Sequence, residues 1–260
     1  ISHLLRNNGG KFDDVADEVA PGLSTTGMVT GALWSDADFD GWIDLLVIYE
    51  WGPVRFWKNV EGKLTDATAQ AGLSNLTGWW NGIAGGDIDN DGDIDYAVTN
   101  FGLNTKYHAS QEAPALLYNG DFAGDGTKQL IEAEYAEDVL YPVRGKSCST
   151  RAMPHLAERF KTFQEFAMAP LEKIYEQSRL DAARRFAITT LESGMLINEG
   201  SATFRFQAFP RIAQISPGFG VVLEDINADG NLDVYFVQNF WTPQIETGRM
   251  DSGLSQLLLG

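Results

Sequence analysis

The chain has 260 residues, and its 36 acidic side chains outnumber 19 basic ones, which gives a formal net charge of −17. So acidic a chain argues against a nucleic-acid partner, because a phosphate backbone is held by clustered Lys and Arg. Hydrophobic residues make up 44% of the sequence, yet no apolar run is long enough for a transmembrane helix, so a folded globular protein is expected. The lone Cys148 excludes a disulfide within the chain.

Short apolar runs separated by Gly indicate hairpins from the beginning of the chain. Residues 4–15 contain the first, and residues 54–68 and 195–206 have the same form. Residues 1–6 have strand character with neither an initiating Met nor a signal peptide, and residues 256–260 stop within another apolar run. We therefore expect the sequence to be part of a longer chain or a larger assembly.

One nine-residue pattern, D-x-[DN]-x-D-G-x-x-D, occurs three times between apolar strands. Loop one spans residues 36–44, loop two residues 87–95 and loop four residues 225–233. A degraded copy, loop three, spans residues 121–129, with Ala at position 3 and Gln at position 9. Three complete copies indicate an internal repeat.

The spacing within these loops is typical of a calcium site. Ca²⁺ takes about six to eight oxygen ligands, and alternate residues of a tightly curled loop can all direct oxygens inward. Positions 1, 3, 5 and 9 offer side-chain oxygens, position 7 offers a backbone carbonyl, and Gly at position 6 allows the sharp turn. The candidate ligands are Asp36, Asp38, Asp40, Trp42 and Asp44 in loop one, Asp87, Asp89, Asp91, Asp93 and Asp95 in loop two, Asp121 and Asp125 in loop three, and Asp225, Asn227, Asp229, Asn231 and Asp233 in loop four. The sequence thus predicts three Ca²⁺ ions and leaves a fourth, in loop three, open.

Two other interpretations explain the loops less well. Asp and Gly are common turn formers, but the four carboxylates of loop one and the five of loop two would repel one another without a cation. An EF-hand has Glu at position 12 on an exiting helix, whereas position 12 here is Val47, Val98 or Phe236 within β-branched and aromatic runs. Each loop is therefore predicted to join two strands of a hairpin.

Strand, loop, strand and hairpin make a four-stranded antiparallel unit, and radial repetition of such units gives a β-propeller. About four blades are accommodated in 260 residues, with the first and last incomplete. Between residues 150 and 186 the apolar residues instead follow helical spacing, with Pro154 and Pro170 suited to first turns. We predict one all-β propeller segment over residues 1–260 with a helical insertion at about 146–192, either a cap on one blade or a partner-docking element.

These repeats resemble the FG-GAP/VCBS repeats of integrin α-chain propellers and of bacterial surface proteins. More closely, the chain resembles the propeller part of ASPIC/UnbV-type proteins, which are relatives of cartilage acidic protein. The segments that carry this resemblance are Arg6-Asn-Asn-Gly9 with Phe12, residues 85–95, residues 102–106, Asp121-Phe122 with Gly126-Thr127, Met153-Pro154, residues 190–193, residues 214–217 and residues 248–251. Propellers of this family commonly have about seven blades, so the chain would form part of one.

The resemblance implies an extracytoplasmic calcium-stabilised scaffold that binds a protein or glycan partner in adhesion or surface assembly. It brings no catalytic residues, and the sequence offers none. His3, His108 and His155 lie outside any metal or nucleophile motif, and no triad, phosphate-binding Gly loop or Cys/His cluster is present. We therefore expect a secreted, cell-surface or periplasmic protein that is not an enzyme.

Two alternatives stay open. Some polysaccharide lyases and sugar dehydratases are propellers with similar calcium loops, and they would use aromatic platforms and basic or phenolic groups in a groove. Candidates here are Trp51, Trp57, Trp79, Trp80 and Trp241, with Lys106, Tyr107, His108 and Arg151. Paired Trp residues, however, pack between blades more often than they bind sugar. The other alternative is a structural subunit held permanently in a larger surface complex.

Overall fold

Antiparallel β-strands dominate the structure. The computed structural model describes residues 2–243 and 247–260, so Ile1, part of the strand character predicted at the start, lies outside the described residues. The chain divides into two compact units, of which unit one comprises Ile1–Lys106 with Thr190–Gly260 and unit two comprises Tyr107–Thr189.

The strands are, in chain order, β1 (Leu5–Asn8), β2 (Lys11–Asp14), β3 (Met28–Ser35), β4 (Asp44–Pro53), β5 (Arg55–Val60), β6 (Lys63–Asp66), β7 (Thr77–Trp79), β8 (Gly82–Gly86), β9 (Asp95–Thr99), β10 (Ala115–Gly120), β11 (Gln129–Ala136), β12 (Val139–Pro142), β13 (Arg184–Ile188), β14 (Gly194–Asn198), β15 (Phe204–Ala208), β16 (Gly218–Glu224), β17 (Asp233–Gln238) and β18 (Gln256–Leu258). The helices are α1 (Ala16–Val19), α2 (Lys146–Ala152), α3 (His155–Arg159), α4 (Phe163–Ala167), α5 (Leu171–Tyr175) and α6 (Gln177–Ala182), with 3-10 turns at Leu23–Thr25 and Arg211–Gln214. Among the described residues no helix is both long and apolar enough to cross a membrane.

Unit one consists of antiparallel sheets that stay open at their edges. Their strand orders are β1-β2, β3-β4-β5-β6 with β7 also paired to β4, β15-β14-β9-β8, and β16-β17-β18. The three predicted hairpins are confirmed as β1–β2, β5–β6 and β14–β15. Loop one joins β3 to β4, loop two joins β8 to β9 and loop four joins β16 to β17, so each connects an edge strand to its neighbour.

The core of unit one lies between its sheets. Strand β4 is buried along most of its length because both of its faces carry apolar side chains, and Leu46 and Ile48 are fully buried. They belong to one cluster with Trp80 and Tyr96, and the Tyr96 ring meets Phe204 edge to face at 5.6 Å. Each such side chain contributes about 1.5 to 3 kcal/mol on burial, which anchors the strands that carry loops one and two.

Unit two combines one sheet with the helices. Its antiparallel sheet has the order β12-β11-β10-β13, so loop three joins the two central strands β10 and β11 instead of an edge strand and its neighbour. Helices α2 to α6 lie between residues 146 and 182, and their buried side chains Leu156 and Leu171 share a cluster with Phe122 of loop three. Pro154 and Pro170 directly precede α3 and α5.

The helical part of unit two is shorter than the predicted span of about 146–192. Strand β13 lies within that span and pairs with β10, with Ile188 opposite Ala115. The segment Arg184-Arg-Phe-Ala-Ile188 contains an aromatic and a β-branched residue, which favour strands, and β10 offers it an edge for hydrogen bonding. The helical spacing therefore ends at Ala182.

Candidate metal centre

The four nine-residue loops have the same backbone turn. In each of them the residues at positions 4 and 6 have positive φ, and the residue at position 6 is always Gly. The φ angles at position 6 are 88° at Gly41, 98° at Gly92, 86° at Gly126 and 94° at Gly230, and those at position 4 are 56° at Phe39, 59° at Asn90, 78° at Gly124 and 60° at Ala228. A left-handed residue strains any side chain with a Cβ, which explains the Gly at position 6. The sequence pattern identified position 6 but missed position 4.

Side-chain acceptors at positions 1 and 5 hold this turn in shape. In every loop one carboxylate oxygen of position 1 accepts the backbone N–H of position 6. The nitrogen–oxygen distances are 3.1 Å from Gly41 to Asp36, 3.0 Å from Gly92 to Asp87, 2.9 Å from Gly126 to Asp121 and 2.9 Å from Gly230 to Asp225. Position 5 accepts the N–H of position 7 at 2.9 Å in each, on Asp40, Asp91, Asp125 and Asp229. Loop three keeps both contacts although its ligand set is incomplete.

These N–H groups also favour the ionised carboxylates. The N–H of Trp42 lowers the pKa of Asp40, and the N–H of Asn231 lowers the pKa of Asp229. In loop three the N–H of Gly126 lowers the pKa of Asp121. Asp40, Asp121 and Asp229 therefore carry negative charge at neutral pH.

The side chain at position 9 accepts hydrogen bonds from the backbone within each loop and, in the complete loops, beside it. One oxygen accepts the N–H of position 2, and in the complete loops the other oxygen accepts an N–H of a neighbouring segment. The first contact measures 3.1 Å from Ala37 to Asp44, 3.0 Å from Ile88 to Asp95, 3.2 Å from Ile226 to Asp233 and 2.8 Å from Phe122 to Gln129. The second measures 2.7 Å from Asn59 to Asp44, 2.7 Å from Asn198 to Asp95 and 2.9 Å from Gly260 to Asp233. We call the three contacts, from position 6 to 1, from 7 to 5 and from 2 to 9, the hydrogen-bond frame of a loop.

The position-9 carboxylates are buried despite their charge. Asp44 and Asp95 have no exposed surface, and burial raises the pKa of both carboxyls. Two N–H donors on each carboxylate offset part of the cost of removing it from water. These residues therefore act first as structural acceptors, a role that the sequence pattern did not separate from metal binding.

Loops one and two each bring three carboxylates together. In loop one, one oxygen from each of Asp36, Asp38 and Asp40 lies within 4.8 Å of the others, and in loop two the same holds for Asp87, Asp89 and Asp95. The Oδ1 atom of Asp36 is buried and has no hydrogen-bond partner among the described residues. A buried acceptor without a donor is costly, and a cation is the group that would satisfy it among three carboxylates. The donor set is all oxygen, which matches a hard cation.

Compared with loop two, loop four has amide side chains in place of two carboxylates, at positions 3 and 7. Asn227 at position 3 accepts the N–H of Asp229 at 2.9 Å through its Oδ1 atom and donates from Nδ2 to the Asp229 carboxylate at 2.9 Å. Its predicted ligands Asp225, Asp229 and Asp233 keep the hydrogen-bond frame, and Asn231 at position 7 offers its carbonyl. Loop four therefore has the turn of loops one and two with less negative charge.

Two of the loops have a basic side chain beside them. Lys58 of β5 places its ammonium on Asp38 and Asp40, 3.2 Å from Asp40 Oδ2, and the contact with Asp38 raises the pKa of Lys58. Arg179 of α6 donates from Nη1 to the backbone carbonyl of Asp121 in loop three at 3.1 Å. Within residues 2–243 and 247–260, no Lys or Arg forms an ion pair with a carboxylate of loop two or loop four.

The aromatic residues considered as sugar platforms are mostly inside the protein. Trp51, Trp57 and Trp80 are buried, and Trp79 stacks on Phe101 with ring centroids 4.2 Å apart. Trp241 is 56% exposed, with the Arg249 guanidinium 5.2 Å above its ring. The buried rings belong to the core and have no face to offer a sugar.

Two of the three histidines lie beside carboxylates outside the four loops. His3 lies 2.5 Å from an Asp14 oxygen in the β1–β2 hairpin, whereas His108 lies 3.8 Å from Glu134 in unit two. His155 begins α3.

Comparison with known families supports the repeat. A family model described as an FG-GAP-like repeat matches residues 36–98, which contain loop one and loop two. No curated protein matches the chain. The match confirms the predicted FG-GAP repeat over those residues, and the closer resemblance to ASPIC/UnbV-type proteins stays a prediction.

Proposed function

We propose that this protein is a calcium-binding β-propeller segment that acts as a non-catalytic scaffold outside the cytoplasm and presents loops to a protein or glycan partner. The observation that carries the proposal is the pair of three-carboxylate clusters in loops one and two, each on a turn held by the hydrogen-bond frame of its loop. The partnerless buried Oδ1 of Asp36 adds to it.

The loops have the ligand chemistry that Ca²⁺ prefers. When bound, the ion supplies the positive charge that offsets the crowded carboxylates. In loop one Asp36, Asp38 and Asp40 would hold it, and in loop two Asp87, Asp89 and Asp95 would do so. Position 7 adds the carbonyl of Trp42 or Asp93, and loop four would bind through Asp225, Asn227, Asp229, Asn231 and Asp233. Loop three lacks an oxygen ligand at position 3, and whether it binds an ion is left open.

The propeller interpretation rests on the sheets and on the matched repeat. Four-stranded antiparallel sheets are the blades of propellers, and the sheets of loops one and two each contain such a set, β3-β4-β5-β6 and β15-β14-β9-β8. The FG-GAP-like match covers the first of these sheets from loop one onward and the beginning of the second. An ASPIC/UnbV-type propeller of about seven blades is the form we propose for the intact protein.

The calcium affinity expected of such loops supports the proposed location outside the cytoplasm. Extracellular calcium modules commonly bind at about 10⁻⁴ to 10⁻³ M, a range in which external calcium fills the sites and cytoplasmic calcium does not. A scaffold held by such ions is rigid only outside the cytoplasm. The acidic surface and the absence of a catalytic motif in the sequence fit a binding role.

A thermal melt tests the proposal. We expect millimolar calcium to raise the melting temperature over that in excess chelator, by about 3 to 6 °C for each ion present at tenfold its Kd, and magnesium to have a much smaller effect. Asp89→Ala removes a predicted ligand that takes no part in the hydrogen-bond frame, so it should reduce the calcium response. Asp17→Ala, an exposed carboxylate of α1, is the matched control. Equal melting temperatures in calcium and chelator would reject the calcium sites.

A further inference from the structure

We infer that Lys58 is a built-in counter-ion of loop one: its ammonium competes with Ca²⁺ for the carboxylates, so loop one binds calcium more weakly than it would without Lys58. The inference rests on the proposed function and specifies how one of its sites is tuned.

The contacts place Lys58 on two candidate ligands at once. Its Nζ atom pairs with Oδ2 of Asp38 and lies 3.2 Å from Oδ2 of Asp40. The Asp38 side chain is only 8% exposed, so water screens this pair weakly. Asp38 and Asp40 also belong to the three-carboxylate cluster of loop one. A cation that enters the cluster must therefore displace the ammonium or share its oxygens.

The strand register shows that this lysine is particular to loop one. Leu45 pairs with Trp57, so the same register continued by one residue sets Lys58 opposite Asp44 at position 9. Leu196 pairs with Tyr96, and Val234 pairs with Leu258. Continued in the same way, these registers set Ile197 opposite Asp95 of loop two and Leu259 opposite Asp233 of loop four. The equivalent position is thus apolar in the other two complete loops.

The surroundings of Lys58 allow its ammonium to move away from the carboxylates of loop one. Its side chain is 36% exposed, and a cavity of about 350 Å³ beside it is lined by Thr65, Asp66 and Gln70. A displaced ammonium has polar groups to turn to in that cavity. Without a divalent ion, the ammonium of Lys58 offsets part of the repulsion between the carboxylates of loop one. Among the described residues, loop two has no basic side chain paired with its carboxylates.

Lys58→Met tests the competition, because it removes the charge and keeps most of the chain length. Binding is followed with Tb³⁺, a luminescent substitute for Ca²⁺, and by titration of bound Tb³⁺ with Ca²⁺. Trp42 lies in loop one at position 7, so its excitation reports this loop, and Trp42→Phe, which keeps the backbone carbonyl, identifies the signal. We expect calcium affinity at loop one to rise about tenfold or more. Lys11→Met in the β1–β2 hairpin makes the same change in net charge outside the loops and should leave the affinity unchanged.

Thermal melts distinguish competition from a purely structural role. With competition, Lys58→Met lowers the melting temperature in chelator and enlarges the increase caused by calcium. A structural lysine would lower it by the same amount in both conditions, which would overturn the inference. Leu259→Lys, at an exposed position opposite Asp233 of loop four, should introduce the same competition there and weaken calcium binding.

Failure of the inference and failure of the proposed function look different. If neither the wild type nor any variant binds calcium, the proposed function is wrong. If the wild type binds calcium and Lys58→Met binds no more tightly than Lys11→Met, the inference alone is wrong. Should Lys58→Met not fold, Lys58→Gln, which keeps a hydrogen-bond donor, replaces it with the same expected result.

Discussion

Loop two and loop three have the same turn and different sets of carboxylates. In both, position 1 accepts the N–H of position 6, position 5 accepts that of position 7, and position 9 accepts that of position 2, at distances between 2.8 and 3.0 Å. Loop two nevertheless gathers three carboxylates, whereas loop three has Ala123 at position 3 and the neutral Gln129 at position 9. Positions 1 and 9 therefore belong both to the turn and to the carboxylate cluster of loop two, whereas position 3 belongs to the cluster alone.

The comparison also separates two roles of position 9. Asp95 closes loop two and accepts the N–H of Asn198, which comes 103 residues later in the chain. In loop three Gln129 has a single acceptor oxygen, which accepts the N–H of Phe122. Arg179 instead approaches loop three and bonds to the Asp121 carbonyl. Loop two is tied to its sheet through a carboxylate, and loop three is tied to a helix through an arginine.

The largest effect is expected from Asp95→Ala in calcium-free buffer. This change leaves the part-buried N–H of Ile88 and the buried N–H of Asn198 without acceptors, so the free energy of unfolding of unit one should fall by about 2 to 4 kcal/mol. Gln129→Ala leaves one such donor and should cost unit two about 1 to 2 kcal/mol. Urea unfolding measures the first through Trp fluorescence, because all seven Trp residues lie in unit one. Amide hydrogen exchange of β10 and β11 measures the second.

Asp95→Asn is the control for this pair, because it keeps one acceptor oxygen and removes the charge. It should cost less than Asp95→Ala. Were Asp95→Ala no more costly than Gln129→Ala, the second hydrogen bond of the carboxylate would contribute nothing, and the distinction between the two loops would be one of metal binding alone.

A smaller effect should follow from completing the ligand set of loop three. Ala123→Asp combined with Gln129→Asp restores the motif on a turn that already has the hydrogen-bond frame, so we expect one additional calcium ion per chain. At a calcium concentration tenfold above its Kd, that ion would stabilise unit two by about 1.4 kcal/mol. Calorimetric titration gives the stoichiometry, and Gln129→Asp alone is the control. An unchanged stoichiometry in a folded double variant would show that the turn and the carboxylates do not suffice.

The local parts of this site could be predicted from the sequence. Nine consecutive residues determine the turn, so the spacing of Asp and Gly predicted the loops and the strands on either side. The contacts that cross the chain could not be predicted. Lys58 reaches loop one only because β5 pairs with β4, and Asn198 reaches loop two only because β14 pairs with β9. No short-range pattern carries either register.

Strand β13 shows the same limit in unit two. Its residues follow a helical stretch, and their strand conformation depends on β10 as a partner. Position 4 is a different case, because two loops have a residue type there that tolerates positive φ, Asn90 and Gly124. The other two loops have Phe39 and Ala228 at this position, so the four sequences together show no consistent preference.

The smallest effect expected concerns that position. Phe39 has φ of 56° and is 53% exposed, so it combines a strained backbone with a side chain that gains little from burial. Phe39→Asn gives loop one the residue of loop two and should increase the free energy of unfolding in chelator by about 0.5 to 1 kcal/mol. Asn90→Ala gives loop two the residue of loop four and should lower the free energy of unfolding by a similar amount. Urea unfolding by Trp fluorescence measures both. If Phe39→Asn destabilised the protein while Asn90→Ala behaved as expected, the Phe39 ring would be contributing more through packing than its conformation costs, and loop one would differ from loop two in that respect as well as in Lys58.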